Sequence, residues 1–270
     1  MFIPALQYSP RILIIVPTSL SLLRTRLPGI MTTWAKDLPP NVAVKFFISS
    51  SIAVKAQLAV AALGYQVDFI AIEADDEEYP PVRRNVAMLA EATALMEDFK
   101  WCLKVDDDTF VDVRRLQQLT FDLRSLEDEP HLLGGRGSGR EQDKQFLSLP
   151  PTGFCMGGPG YLMTKAAMLS VMPHLFGCVD YFDRHTYRDY LWHSDTVISK
   201  CFHRWTGLEC WDKGVDNVYP FRTGIFQQHY PNTEAKFDSV TFHSLKTSED
   251  MVAYSIEKKR YDDISMDLVQ

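Results

Sequence analysis

Residues 100–111, Lys-Trp-Cys-Leu-Lys-Val-Asp-Asp-Asp-Thr-Phe-Val, restrict this chain more than any other stretch, because an apolar run ends abruptly in three consecutive carboxylates. The run reads as a buried strand, which places Asp106, Asp107 and Asp108 at its carboxyl end. Adjacent ionised carboxylates repel one another, so three of them beside a core strand call for a bound cation or a fully solvated turn. Aspartate is also a frequent cap and turn former, and in that role it needs no ligand. The surrounding chain has to decide between the two.

On either side the apolar pattern alternates between strand and helix. Residues 11–17, 42–49 and 67–72 read as strands. Residues 19–34 suit a helix broken at Pro28-Gly29, and Ser50-Ser51 can cap an apolar helix that runs through Leu63 and ends at Gly64. After an acidic connection closed by Pro80-Pro81, the positions Val86, Leu89, Ala90, Thr93, Met96 and Phe99 recur at helical steps and define one buried face. That helix delivers the chain to the strand at 101–105. A further helix is expected over 113–126 and a short strand at Leu132-Leu133. Such alternation predicts an α/β fold with a mostly parallel sheet covered by helices. Ligands of such sheets sit beyond the carboxyl ends of the strands, where the three aspartates fall.

The net charge of −7 and the absence of a basic block argue against nucleic acid as a partner and for a polar small molecule or another protein. Five cysteines lack paired zinc-ligand spacing and are too few for a disulfide scaffold. A Cys201–Cys210 bridge would close a short loop. The apolar run Ile12-Leu13-Ile14-Ile15-Val16 is far shorter than the roughly 20 residues needed to cross a bilayer. Neither it nor the residues before it read as a membrane anchor or a signal peptide.

Further along, residues 134–140 are glycine-rich but match no phosphate-binding spacing, so a flexible surface loop is expected. In Gly157-Gly158-Pro159-Gly160 the glycines have apolar flanks, which suggests a turn pressed against another backbone or a ligand. Residues 181–191, dense in aromatic and charged side chains, suit a ligand rim or an amphipathic helix equally. Ser194 or Asp195 can cap the apolar helix that follows. Residues 240–245 read as a strand that puts His243 among apolar neighbours, usually the setting of a satisfied core histidine. Lys258-Lys259-Arg260, in the charged tail, reads as a solvated face.

Taken in order, four pieces resemble glycosyltransferase family 31, the inverting β-1,3-transferases that include the fringe and core 1 galactosyltransferase enzymes. Trp101 through Val111 is similar to that family's W-x-L-K-x-D-D-D-T-Y-V stretch. Gly157-Gly158-Pro159-Gly160-Tyr161 is similar to its G-G-A-G-Y loop, with Pro159 in place of alanine. Ser194-Asp195 through Cys201 is similar to its E-D-x-x-x-G-x-C segment, and Phe242-His243-Ser244 to its F-H-S ending. Ser194 and Ser199 depart from the pattern, so the base role carries over to Asp195 alone.

The resemblance implies a GT-A type fold, Rossmann-like, with helices on both faces of the sheet. It implies a single catalytic domain over 1–270, with a nucleotide-sugar half at 11–135, an acceptor half at 136–250 and a charged tail at 251–270. The donor would be a UDP-sugar, the acceptor a glycan or glycoprotein hydroxyl, and the setting the Golgi lumen or secretory pathway. Asp108 and His243, with Asp106, would hold Mn2+, since a carboxylate and an imidazole suit manganese better than an all-oxygen site does. Asp106 and Asp107 would also serve the ribose or support the metal ligands from behind, Arg83 or Arg84 the diphosphate, and Gly157, Gly158 and Gly160 the donor sugar. Two rival readings remain. A haloacid-dehalogenase-type phosphatase also places an Asp cluster after a strand, but Thr109 directly after Asp108 has the wrong spacing for it. A transferase-like protein could instead bind sugars or a partner without turnover.

Overall fold

In the computed structural model the first strand, Ile12–Pro17 (β1), is buried along its whole length, as a central strand covered on both faces must be. The structure describes residues 11–76, 78–79, 81–141, 143–144, 149–150, 152–185, 193–212, 221–223 and 237–267. Helix α1 (Leu20–Thr32) follows, then β2 (Val42–Ser49), α2 (Ala53–Ala62), β3 (Phe69–Ile72), α3 (Val82–Leu95) and β4 (Trp101–Lys104). Next come β5 (Thr109–Val111), α4 (Val113–Asp122), β6 (Leu132–Gly134), β7 (Arg136–Gly137), β8 (Phe154–Cys155) and β9 (Tyr161–Thr164). The remaining elements are α5 (Lys165–Val171), α6 (Leu175–His185), α7 (Ser194–Thr206), β10 (Phe221–Thr223), β11 (Thr241–His243) and α8 (Ser248–Asp267).

The main sheet has the order β3-β2-β1-β4-β9-β6. Its first four strands are parallel, and β9 runs antiparallel to both neighbours. Side chains alternate across a strand, so Ile12, Ile14 and Val16 pack with α1, α2, α4 and α8, while Leu13 and Ile15 pack with α3, α5, α6 and α7. The chain is thus an α/β fold with helices on both faces of a mostly parallel sheet, as the strand and helix pattern predicts. A second sheet, β10-β11-β5, starts where β4 ends. The three aspartates occupy the crossing from one sheet to the other.

Several local expectations are corrected. Helix α1 runs through Pro28 instead of breaking there. Ser248 at the start of α8 enters the ladder at that point: its hydroxyl accepts from Gly29 N–H at 2.9 Å and donates to the Thr25 carbonyl at 2.8 Å. A partner helix thereby satisfies groups that the helix would otherwise bond internally. The segment at 134–140 is not simply a surface loop, because Arg136 and Gly137 pair with Cys155 and Phe154. Cys210 bridges Cys155, and Cys178 bridges Cys201, so the Cys201–Cys210 pair is not formed and Cys102 stays free. Lys258 does not belong to a solvated face. It is buried against Asp112 at 2.7 Å and Asp262 at 3.2 Å. Of residues 181–191, the first five end α6 and the rest lie outside the described residues.

Candidate active site

Lys104, the last residue of β4, is a lysine in an otherwise apolar strand and is buried. A buried ammonium requires partners. Here they are the Asp106 carboxylate at 2.5 Å and the Gly157 carbonyl at 3.0 Å. Lys104 therefore ties the aspartates to the glycine loop that leads into β9.

Asp107 is buried and accepts a hydrogen bond from the Thr18 hydroxyl at 2.8 Å, just past the carboxyl end of β1, while Arg26 of α1 pairs with it. Burial pushes its pKa up, and the Arg26 guanidinium only partly offsets that. Asp108 is 2% exposed. Burial opposes its ionisation too, but the His243 ring, Lys246 and Arg26 together outweigh burial and hold it below the usual carboxylate range. Lys246 pairs with Oδ2, and Arg26 Nη2 lies 3.7 Å from the same oxygen. Oδ1 is buried without a hydrogen-bond donor of good geometry, although His243 Nε2 approaches to 3.1 Å.

His243 reaches this place through strand pairing: β11 runs antiparallel to β5 and sets His243 opposite Thr109. Ligand atoms of Asp106, Asp108 and His243 all lie within 4.8 Å of one another. Two carboxylates and an imidazole, one carboxylate oxygen being buried with only the imidazole beside it and no well-aligned donor, fit a divalent cation. After His243 the chain turns at Ser244, whose φ of 80° lies in the left-handed region, and Leu245 N–H donates to the Asp108 carbonyl at 2.9 Å.

The glycine loop is shaped by this crowding. A Cβ at Gly158 would lie 2.6 Å from His243 Nδ1, and one at Gly160, where φ is +95°, would strike the Lys104 carbonyl. Gly158 O accepts from the Thr109 hydroxyl at 2.8 Å. Gly157 N–H donates at 3.0 Å to Asp195 Oδ2, and Thr196 N–H donates to Oδ1 at 2.9 Å. Asp195 thus stands in the first turn of α7, while the N-cap position falls to His193. Burial pushes the Asp195 pKa up, against the Gly157 hydrogen bond and the Lys104 charge, a shift that moves a carboxylate towards useful general-base strength.

Most of the charged groups line one cleft of about 350 Å³. Asp106, Asp107, Asp108, Gly157, Gly158, Asp195 and Arg84 line it, and His243 stands behind Gly158. Arg83 is exposed outside the lining, and Gly160 is spent on close packing. Thr18, Arg26, Lys104 and Lys246 also line the cleft; Lys104 lies within the matched strand motif but was given no role there, and the other three fall outside the motifs. Two of them left a signal in the sequence: Lys104 as a charge inside a strand, and Thr18 as the first polar residue after one.

A family model described as Fringe-like matches residues 8–210. Chondroitin sulfate synthase 3 of Mus musculus is 29% identical over 211 residues, covering 76% of this chain and 22% of that protein. Chondroitin sulfate synthase 2 of Homo sapiens is 37% identical over 84 residues, 30% of this chain and 10% of that protein. The chain therefore spans about a fifth or less of the curated relatives it matches. Among solved structures, an active-site mutant of LgtC has a TM-score of 0.53 at 11% identity, covering 91% of this chain and 95% of that one. That likeness is one of fold, the GT-A fold of glycosyltransferases. The matched family region runs from β1 through α7 and includes the three aspartates, the glycine loop and Asp195, so the chain belongs to the Fringe-like family.

Proposed function

We propose that this chain is a metal-dependent, inverting glycosyltransferase of the family 31 type, moving a hexose or N-acetylhexosamine from a UDP-sugar to a glycan or glycoprotein hydroxyl in β-1,3 linkage. One observation carries the reading: ligand atoms of Asp106, Asp108 and His243 converge within 4.8 Å of one another, and the two carboxylates line the same cleft as Asp195. A divalent cation held by those three residues, proposed to be Mn2+, would neutralise the diphosphate charge that develops as the sugar leaves.

The protein's own groups have distinct tasks in this scheme. Asp195 takes the proton of the acceptor hydroxyl as that oxygen bonds to the anomeric carbon and the bond from carbon to diphosphate breaks. One displacement of this kind inverts the configuration. Gly157 and Thr196 N–H groups aim the carboxylate, and burial keeps it a better base than an exposed aspartate. Arg84, which lines the cleft, would meet the diphosphate as a bidentate donor, a role that the exposed Arg83 would not share. Asp107, fixed by Thr18 and Arg26, orients the cluster and serves the ribose. Residues 11–135 would carry the nucleotide sugar and 136–250 the acceptor side.

The curated relatives are named for making chondroitin sulfate, and a glycan acceptor is proposed here by analogy. Two disulfides suit an oxidising compartment and support a Golgi or secretory setting. No described helix is long and apolar enough to cross a membrane. The test is release of UDP from a panel of UDP-sugars with a glycan acceptor, with and without Mn2+, for the wild type and Asp108→Asn. Turnover that requires Mn2+ and vanishes in the variant is expected. Glycan binding without turnover of any donor would replace the transferase by a sugar-binding protein.

A further inference from the structure

Each carboxylate at the head of the cleft already faces a cationic side chain. Lys104 sits on Asp106, Arg26 bridges Asp107 and Asp108, and Lys246 pairs with Asp108 Oδ2. Among the lining residues the carboxylates, Glu78 and Asp195 included, are nearly balanced by Arg26, Arg84, Lys104 and Lys246. A bare dication entering this cleft competes with Arg26 and Lys246 for the same oxygens, and a bare diphosphate meets the carboxylates. Together the two satisfy both sets, because the dication takes the carboxylates and the diphosphate takes the displaced cations.

The three cations nearest the aspartates differ in freedom. Lys104 is buried and held twice, by Asp106 and by the Gly157 carbonyl. Arg26 is only 17% exposed and neutralises the buried Asp107. The Lys246 side chain is 58% exposed, and a lysine stem is flexible. Its backbone is nevertheless anchored, because Leu245 is fully buried with its N–H on the Asp108 carbonyl and Ser244 makes a left-handed turn directly after His243. The two oxygens of Asp108 are divided accordingly. Oδ1 faces the His243 ring, whose Nε2 lies 3.1 Å away, and Oδ2 faces the ammonium.

We propose that Lys246 is an exchangeable counter-ion of the metal centre: it neutralises Asp108 before loading and turns to the diphosphate when cation and nucleotide arrive, so that these two bind together far better than either alone. The inference rests on the proposed cation and diphosphate site and concerns how that site is loaded. Lys246 is a positioning and binding residue here, and the proton transfer remains with Asp195.

Isothermal titration calorimetry with Mn2+ alone, UDP alone in EDTA, and Mn2+ at saturating UDP tests this on the wild type, Lys246→Met and Lys246→Arg. Melting curves by circular dichroism establish that each variant is folded. In the wild type UDP should tighten Mn2+ by about tenfold or more, the range of coupled sites. Lys246→Met should bind Mn2+ alone about tenfold tighter and UDP in the presence of Mn2+ about tenfold weaker, so that the coupling collapses. Lys246→Arg should keep most of it. If Lys246→Met binds Mn2+ alone no tighter than the wild type, or keeps the full coupling, the counter-ion role is overturned while the site stands. If the wild type binds neither Mn2+ nor UDP in any combination, the proposed site falls and the counter-ion role with it.

Discussion

Replacing Gly158 by alanine asks whether the glycine loop is bare in order to admit the His243 ring. The new Cβ would lie 2.6 Å from Nδ1 and 2.7 Å from Nε2, where ordinary contact begins at 3.4 Å. The ring must retreat by most of an ångström. Its backbone is held in register opposite Thr109, and the loop is held by the Thr109 hydroxyl on the Gly158 carbonyl at 2.8 Å. The imidazole therefore has to leave its present place beside Asp108 before either segment moves. Disturbing the orientation of a metal ligand costs roughly 10- to 100-fold in affinity, and overpacking costs about 1–3 kcal/mol of stability. Mn2+ binding in the presence of UDP, read by calorimetry or by the Mn2+ electron paramagnetic resonance signal, should fall by that factor in a protein that still melts cooperatively. Gly177→Ala is the control. Gly177 lies in α6, and a Cβ there would meet no atom within 4 Å, so that variant should gain about 0.5–1 kcal/mol and bind Mn2+ normally. A folded Gly158→Ala protein with unchanged Mn2+ affinity would refute His243 as a ligand.

Asp195→Asn should lower transfer by roughly 10²- to 10⁴-fold with UDP binding intact, and loss of UDP binding would move Asp195 to a structural role. Because burial raises the Asp195 pKa, the acid limb of kcat/KM should fall above the ordinary aspartate value of about 3.9. The same shift favours the protonated folded form, so its contribution to stability is present below the unfolded pKa and is lost as pH rises through the folded one. In Asp195→Asn that loss should be missing from melting temperatures measured across the pH range. Lys258→Met removes the nearer of two cations from the buried Asp112 carboxylate, leaving Arg115 Nε at 3.4 Å, and should cost about 1–3 kcal/mol in chemical denaturation; a near-neutral result would mean that Arg115 or water takes over. Reducing the Cys155–Cys210 and Cys178–Cys201 bridges should remove about 2–4 kcal/mol each. Transfer should fall in parallel, since Cys201 lies in the helix that carries Asp195. Full activity in reductant would show that neither bridge supports the base.

Much of the site was legible in the chain because its pieces are local. A charged residue cannot enter a core strand without a partner, so the apolar run ending in Asp106, Asp107 and Asp108 marks a strand end with a special electrostatic environment. The glycines at 157, 158 and 160 mark close approaches, although what approaches at 158 and 160 is the protein's own His243 ring and Lys104 carbonyl. Arg26 and Lys246 were not legible. They lie 81 and 138 residues from the aspartates they neutralise, and a cation on a helix or a loop carries no local mark of the carboxylate it will meet. Lys258 misled for the same reason: beside Lys259 and Arg260 it looks solvated, and only the packing of α8 on β5 and α4 buries it against Asp112.

The sequence by itself determined the order of strands and helices, the position of the carboxylates at a strand end, and the residue types able to hold a cation and accept a proton. These follow from short-range patterns: side-chain periodicity, turn chemistry, and repulsion between neighbouring charges. The tertiary structure alone decided which distant groups share the site. Pairing of β11 with β5 brings His243 to Asp108. Helix α8 completes α1 through Ser248. The disulfides join Cys155 to Cys210 and Cys178 to Cys201. Each of these depends on sheet register and helix packing, which arise from burial summed over the whole core and leave no trace in the residues immediately around them.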